Sequence, residues 1–404
     1  MNPVVAIVGA LDTKGEEVEF IKDELSRLAC NTVVIDVGTL HPPMCSCDVS
    51  REDVAIAAGV TMEEIHLKGD RRFAVESVIL GASRIAASLL KDGRLSGILS
   101  VGGGTGTHIG MGIMRSLPLG VPKLMVSTVA SRDMSRLIGT KDIAVMHSVV
   151  DILGLNPISR KILSNAAAAI AGMAKDSRKI QSQKMIVGLT SFGFITEGAM
   201  KVKSKLESSG YEVAPFHANG TGGMAMEDLI EQGVINAVVD LALHEFPDSL
   251  HGGYCGDIGP GRLETAGRLG LPQVVVPGGL DCIVLEFNSR ETMPVHLRDR
   301  PVFWYDFRSG VRTSIDDMVR LARIISEKLN RSLGPTKVVI PIRGFSEADS
   351  VGAPLWDPVA NQTFISELAS GLNPGIGIIE VDAHINDAAF ADAVVNALDQ
   401  MVHK

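Results

Sequence analysis

Residues 4–14 read Val4-Val5-Ala6-Ile7-Val8-Gly9-Ala10-Leu11-Asp12-Thr13-Lys14, and the chain repeats this plan at Met185-Ile186-Val187-Gly188-Leu189-Thr190-Ser191-Phe192-Gly193. Each stretch is a short apolar run, a turn, and then a helical period. Val187 follows Val8 by 179 residues, and the next apolar runs, Thr32–Asp36 and Tyr211–Pro215, keep that offset. Third runs follow at Gly97–Val101 and Ala237–Leu241, and fourth runs at Pro122–Val126 and Pro272–Val276. The last pair is 150 residues apart, so the first half carries an insertion, near residues 41–80. Short apolar strands alternating with helices predict parallel sheets covered on both faces. The fold class expected is α/β, with two Rossmann-like parallel-sheet domains, duplicated and facing across a cleft.

The helical stretches have the matching period. Val18, Ile21, Leu25 and Leu28 form one stripe, and Ala199, Val202 and Leu206 its counterpart. Thr13 and Glu16 stand at capping-box spacing for the first helix. Leu153–Ala174 reads as the helix that closes the first half, and Ala174–Lys184 as a polar linker. The domains expected are therefore residues 1–180 and 185–404. Two more strands, Lys337–Ile340 and Ile376–Val381, and a last helix, Ala388–Val402, extend the second half.

Composition narrows the function classes. A formal charge of −9 without a long Lys/Arg run excludes a basic nucleic-acid face. Aromatics at 4% exclude a base-stacking platform. Five cysteines, an odd number in a large chain, read as reduced thiols, and the expected location is cytoplasmic. No uninterrupted apolar run reaches about 18 residues, so no membrane span is expected.

In open parallel sheets, ligands sit at the carboxyl ends of the strands. The richest such loop is Ser100-Val101-Gly102-Gly103-Gly104-Thr105-Gly106-Thr107. Its glycines permit positive φ and a nest of amides around a phosphate; the plainer reading is a tight strand-to-helix turn. Neither a Walker A motif nor the dinucleotide fingerprint is met, since Thr107 stands where the latter wants glycine. Lys14 suits a phosphate or a solvated helix start, and Asp12 a metal, a ribose or the helix dipole. Thr128, Ser131 and Arg132 offer hydroxyls and a guanidinium, or Ser131 caps the next helix.

In the second half, His217-Ala218-Asn219-Gly220-Thr221-Gly222-Gly223 joins a histidine to a glycine turn. His217 suits a general acid or base, or a loop hydrogen bond. His244-Glu245 suits a base and its orienter, a divalent-ion site or a surface loop. His251–Arg262 is long and glycine-rich enough for a mobile substrate loop. Gly278, Gly279 and Asp281 follow the fourth strand.

The motifs "GALDTKGEEVEFI", "SVGGGTGT", "FHANGTGGMAMEDLI", "VVDLALHEFPD", "GPGRLETAGRLGLPQVVVPGGLD" and "PLWDPVANQTFISEL" resemble the ATP-binding domain family typified by a plant tobamovirus-resistance protein, over essentially the whole chain. The resemblance implies a two-domain Rossmann-like fold, ATP with Mg2+, and a homodimer. It makes Gly9, Asp12, Thr13, Lys14 and Gly102–Thr107 (Gly102, Gly103, Gly104, Thr105, Gly106, Thr107) the nucleotide candidates, to which the position of their loop after the fourth run adds Thr128 and Ser131. The function expected is ATP- and Mg2+-dependent transfer or ligation on a small anionic metabolite in the cleft between the two domains. Asn219, Gly220, Thr221, Gly222, Gly223, Gly278, Gly279 and Asp281 are its substrate-binding candidates, and His217, Glu245 and Arg262 its catalytic ones. The alternatives are a nucleotide-sensing protein without turnover and a nucleotide-sugar enzyme. No residue is assigned to the metal.

Overall fold

The computed structural model describes residues 2–176 and 182–403. The chain forms two compact units, Met1–Ile180 and Gln181–Lys404. Of the linker read at Ala174–Lys184, residues 177–181 lie outside the described residues.

The first unit runs β1 (Val4–Gly9), α1 (Leu11–Arg27), β2 (Asn31–Asp36), α2 (Arg51–Ala58), α3 (Met62–Lys68), α4 (Arg71–Lys91), β3 (Gly97–Gly102), α5 (Gly104–Arg115), β4 (Lys123–Ser127), α6 (Ser135–Ile138), β5 (Ala144–His147) and α7 (Pro157–Lys175). Its parallel sheet has the order β2-β1-β3-β4-β5. Alternate strand residues face opposite ways, so each strand feeds two cores. Val5, Ile7, Leu99 and Val101 pack with Val18, Ile21 and Leu25 of α1 and with α7. Ala6, Val8, Ile98 and Met125 pack with α4 and α5 on the other face. Truncating a fully buried stripe residue such as Leu25 to alanine costs about 2–5 kcal/mol.

The second unit runs β6 (Ile186–Ser191), α8 (Thr196–Ser208), β7 (Glu212–His217), α9 (Thr221–Glu231), β8 (Ala237–Ala242), α10 (Glu245–His251), α11 (Thr265–Arg268), β9 (Gln273–Gly278), β10 (Cys282–Leu285), β11 (Val302–Trp304), β12 (Ser309–Arg312), α12 (Ile315–Leu329), β13 (Thr336–Pro341), α13 (Pro358–Gly371), β14 (Gly377–Val381) and α14 (Ala388–Val402). Its main sheet is parallel in the order β14-β13-β9-β8-β6-β7. From β7 to β9 this repeats the order β2-β1-β3-β4 of the first unit. The α/β class and two parallel-sheet domains expected from the sequence are thus present.

Several local expectations are corrected. The Thr13/Glu16 capping box does not form, because α1 begins three residues earlier, with Ala10 as N-cap and Leu11 as first residue, whose amide donates to Asp36 Oδ1 at 3.0 Å. Helix α7 starts at Pro157, where Asn156 and Ser159 make the capping box. Strand β5 and the antiparallel β10-β12-β11 sheet were not expected. Their strands are only three or four residues long, too short for a period to show. The insertion before β3 is α2, α3 and α4. Among the described residues, α4 is long and apolar enough, by length and composition alone, to cross a membrane, which qualifies the expectation of no span. Its Val78, Ala82, Ala86 and Leu89 are core residues of the first unit. It crosses α2 at Gly81, where a Cβ would stand 1.9 Å from Val54 O.

Candidate functional site

Strands β1 and β3 lie side by side at the centre of the first sheet, but their following helices leave toward opposite faces. The two connections therefore separate and leave a crevice at the carboxyl edge. A cavity of about 510 Å³ occupies it, within the usual span for small-molecule sites. One wall is Ala10, Asp12, Thr13 and Lys14, the floor is Val101, Gly102, Gly103, Thr105 and Gly106, and residues 65–75 close the far side. Much of the lining is apolar: Ala10, Val37, Leu40, Ile65, Ala74, Val75, Val101 and Ile109.

The glycine stretch places the first turn of α5 against this space. Gly103 is its N-cap and offers no side-chain acceptor. Thr107 N returns to Gly103 O at 2.7 Å, whereas the amides of Gly104, Thr105 and Gly106 have no acceptor among the described residues. Unpaired amides at a helix start, with the helix dipole behind them, form an anion site. None of Gly102, Gly103, Gly104 and Gly106 has positive φ. The expected nest is thus corrected to a helix N-terminus. Gly102 is needed for a different reason: a Cβ there would stand 2.7 Å from Gly106 Cα. Thr107 is buried, and its hydroxyl shares a 2.7 Å hydrogen bond with Ser127. Arg71, at the start of α4, donates from Nη2 to Thr105 Oγ1 at 2.8 Å. A guanidinium and three unpaired amides thus meet at one end of the cavity.

The Ala10–Lys14 wall is held from below. Asp12 Oδ2 accepts from Leu40 N at 3.0 Å and His41 N at 3.2 Å, while its Oδ1 has no partner among the described residues. Lys14 sits at a kink in α1 (φ −128°, ψ 20°) and donates from Nζ to Ile152 O. Thr13 donates back to Ala10 O at 3.3 Å. Asp36, beneath them, accepts the Leu11 and Gly38 amides; burial raises its carboxyl pKa against those two bonds. Gly9 makes room for Val18, 2.7 Å from where a Cβ would lie. Thr128 is half-buried and Ser131 exposed; neither lines the cavity. Ser131 does not cap α6, whose first amide donates to Asp133 Oδ1.

Arg71 and His66 escaped the sequence reading. Both come from the insertion, whose return to the sheet edge has no counterpart in the second half. Asp70 was the available signal, as it caps α4 by accepting from the amides of Arg72 and Phe73.

The corresponding crevice of the second unit, between β6 and β8, is filled. Phe192 stacks on His244 with ring centroids 4.0 Å apart. Gly279 (φ 75°) fits under Phe192, and Gly278 lies against Leu241 O. Arg262, 1% exposed, is a buried hub. It holds Asp240 with two nitrogens, donates from Nε to Glu245 Oε2 at 2.7 Å, and lies 3.6 Å from Glu227. Burial opposes the charge on Arg262, but the Asp240 and Glu245 carboxylates outweigh it. Burial likewise raises the carboxyl pKa of Glu245 and Glu227 despite Arg262.

The second glycine loop packs on this hub. Gly220 N donates to Glu245 Oε1 at 2.6 Å. Asn219 Oδ1 accepts from Gly222 N at 3.1 Å and Thr221 Oγ1 at 3.2 Å. A Cβ at Gly223 would stand 2.5 Å from Arg262 Nε and 2.7 Å from Glu245 Oε2, and one at Gly222 would stand 1.8 Å from His217 O. The structure thus brings Glu245, Arg262 and residues 219–223 together in one packed cluster. His217 is exposed at the end of β7. Asp281 is fully buried elsewhere, accepting from Ser346 Oγ at 2.7 Å. The 251–262 loop, read as a mobile segment, buries Cys255, Ile258 and Arg262.

The profile described as "Uncharacterised protein family (UPF0261) N-terminal domain" matches residues 3–179, and its C-terminal counterpart matches 184–402. A UPF0261 protein of Clostridium tetani is 40% identical over 100% of both chains. Another, of Brucella suis, is 34% identical over 99% of this chain and 96% of its own. The ToMV resistance protein Tm-1(GCR237) of Solanum lycopersicum is 33% identical over 98% of this chain, which spans 55% of the plant protein. Among solved structures, MurG of Acinetobacter baumannii aligns over 99% of this chain and 100% of its own at 12% identity. Its TM-score of 0.23 is too low to support an argument.

Proposed function

The chain belongs to the UPF0261 family through both of its domains, and from that premise we propose that its first unit binds ATP with Mg2+. One observation carries the reading: the unpaired amides of Gly104, Thr105 and Gly106 meet Arg71 at one end of a largely apolar cavity. A nucleotide has the same polarity, a charged phosphate tail and a flat, weakly polar base. The amides and the guanidinium suit the phosphates, and Ile65, Val75, Val101 and Ile109 suit the base. Asp12, through its unpaired Oδ1, is the wall carboxylate that would hold Mg2+; the ion supplies charge neutralisation of phosphate oxygens.

The activity proposed is ATP-dependent transfer or ligation on a small anionic metabolite. A nucleotide sensor without turnover is the second reading. It is favoured by the mutual burial of Glu245 and Arg262, which leaves neither side chain open to a substrate. The homodimer is a further proposal, checked by light scattering.

The test is a melting-shift titration with ATP, ADP, NAD and nucleotide sugars, with and without Mg2+. Phosphate or pyrophosphate release is then assayed with a metabolite extract. ATP with Mg2+ is expected to stabilise the protein; stabilisation by NAD alone overturns the ligand. Stabilisation without turnover selects the sensor. Arg71→Ala is expected to weaken ATP about tenfold, the loss of one charge-assisted hydrogen bond. Gly104→Val is expected to abolish the shift. Wild-type ATP affinity in both variants rejects the assignment of the phosphates to α5.

A further inference from the structure

A second cluster, independent of the nucleotide reading, lies at the carboxyl end of β8. His244 follows that strand, Asp248 lies one turn on in α10, and Cys255 lies in the loop beyond. All three are buried, at 2%, 0% and 5% exposure. One imidazole nitrogen of His244, a carboxylate oxygen of Asp248 and Sγ of Cys255 lie within 4.8 Å of one another. Nδ1 of His244 is enclosed and has no hydrogen-bond partner among the described residues. An orphaned buried polar atom costs about 1–3 kcal/mol unless something binds it.

The ring has little freedom to find a partner elsewhere. Phe192 stacks on one face, and a Cβ at Gly279 would stand 2.7 Å from the His244 Cβ. Asp248 is fixed as well: its Oδ1 accepts from Val284 N at 2.6 Å and its Oδ2 from Cys255 N at 2.9 Å. Each oxygen keeps a further lone pair.

We propose that His244, Asp248 and Cys255 form a mononuclear site for a zinc-class divalent cation, with a fourth position open. One nitrogen, one oxygen and one sulfur donor suit a borderline ion, and the sulfur disfavours Mg2+ and Ca2+. Three protein ligands are the number found in zinc sites that keep a position for water or substrate. Donor atoms around a tetrahedral zinc stand roughly 3.5 Å apart, so the trio needs at most a contraction of about 1.3 Å.

Charge balance supports the assignment. Burial, with lesser contributions from His217 and Arg262, lowers His244 to about 3, so the imidazole is neutral and ready to coordinate. Burial pushes Asp248 up to about 7 and raises the Cys255 thiol. Without metal the trio carries at most the one negative charge of Asp248. A divalent cation with one thiolate and one carboxylate is neutral. Binding releases the thiol proton to solvent, together with the carboxyl proton where one is carried. The loaded site is neutral, and an uncompensated charge in a dry site is costly. A Cys255 thiol donating to Asp248 accounts for two members of the trio and leaves the His244 nitrogen unexplained.

The experiment loads the full chain, free of any histidine tag, with Zn2+ or Co2+, desalts it, and measures metal content and the absorption spectrum. About one ion per chain is expected, with a thiolate-to-cobalt charge-transfer band. Cys255→Ser removes the band, and His244→Ala removes the retained ion. Cys45→Ser with Cys47→Ser keeps both; these partly exposed thiols are the competing soft site. Retention below about 0.2 ion per chain overturns the proposal. A band that survives Cys255→Ser, or that disappears with Cys45 and Cys47, does so too. X-ray absorption on the zinc-loaded wild type needs no variant: one sulfur with nitrogen and oxygen neighbours is expected, and no sulfur or two sulfurs overturns the site.

Discussion

Two glycine loops of almost the same composition meet opposite fates in this molecule. Residues 102–107 follow β3 and leave three amides unpaired at the edge of a cavity. Residues 219–223 follow β7 and close over the Glu245–Arg262 pair, with Gly220 N bonded to Glu245 and Gly222 N to Asn219. Glycine marks a close approach to the backbone in both. In the first unit the approach borders an open cavity; in the second it is filled by the protein's own ions. What already occupies the space beside the backbone separates the two cases, and composition does not.

The comparison is tested most severely at Arg262. Arg262→Met leaves Asp240, Glu245 and Glu227 buried without their cation, and is expected to cost about 3–5 kcal/mol, read as a lower denaturation midpoint. A loss below about 1 kcal/mol would mean that the second loop does not rest on this hub.

Gly223→Val comes next, at about 2–4 kcal/mol, since its side chain would enter the space of Arg262 Nε and Glu245 Oε2. Gly104→Val, whose Cβ meets nothing within 4 Å, is the matched control and is expected to change stability by less than about 1 kcal/mol. Equal losses at the two positions would erase the distinction between the loops.

A smaller effect concerns pH. The second unit buries carboxyls where the first leaves open amides. Burial, then the charge of Asp281, pushes Asp349 up to about 7. The folded state therefore holds this proton more tightly than the unfolded chain, whose pKa is about 3.9. The stabilisation is present at the acid end and is lost as pH rises from about 4 to about 7. Asp349→Asn is expected to flatten the melting temperature over that window, and an unchanged slope would assign it to other groups.

Much of the architecture was legible because its signals are redundant. Val5, Ile7, Leu99 and Val101 are strand residues by composition, and Val18, Ile21 and Leu25 supply the helical face that covers them. The repeat, at one offset through the first two strands and shifted by the insertion after them, supported the reading within one chain. Signals that depend on a partner far along the chain were not legible. Thr13 and Glu16 had capping-box spacing, but Asp36 takes the Leu11 amide and starts α1 earlier. Arg71 reaches Thr105 only because α4 returns over the crevice. Gly222 and Gly223 resembled a binding loop, and no local pattern showed that Arg262 and Glu245 pack against Gly223. His244 and Asp248 carried a visible four-residue spacing, but Cys255 joins them through a loop whose path no local pattern gives.

The clamp by which Asp12 holds the Leu40 and His41 amides has a practical use. Deuterium uptake at those two amides responds to a guest that engages Asp12, while uptake at Ile98, whose amide donates to Pro122 O, follows the integrity of the first sheet. Uptake at Gly104, Thr105 and Gly106 slows only when something occupies them. A single exchange measurement thus contains its own reference, and occupancy is read as the divergence of neighbouring peptides.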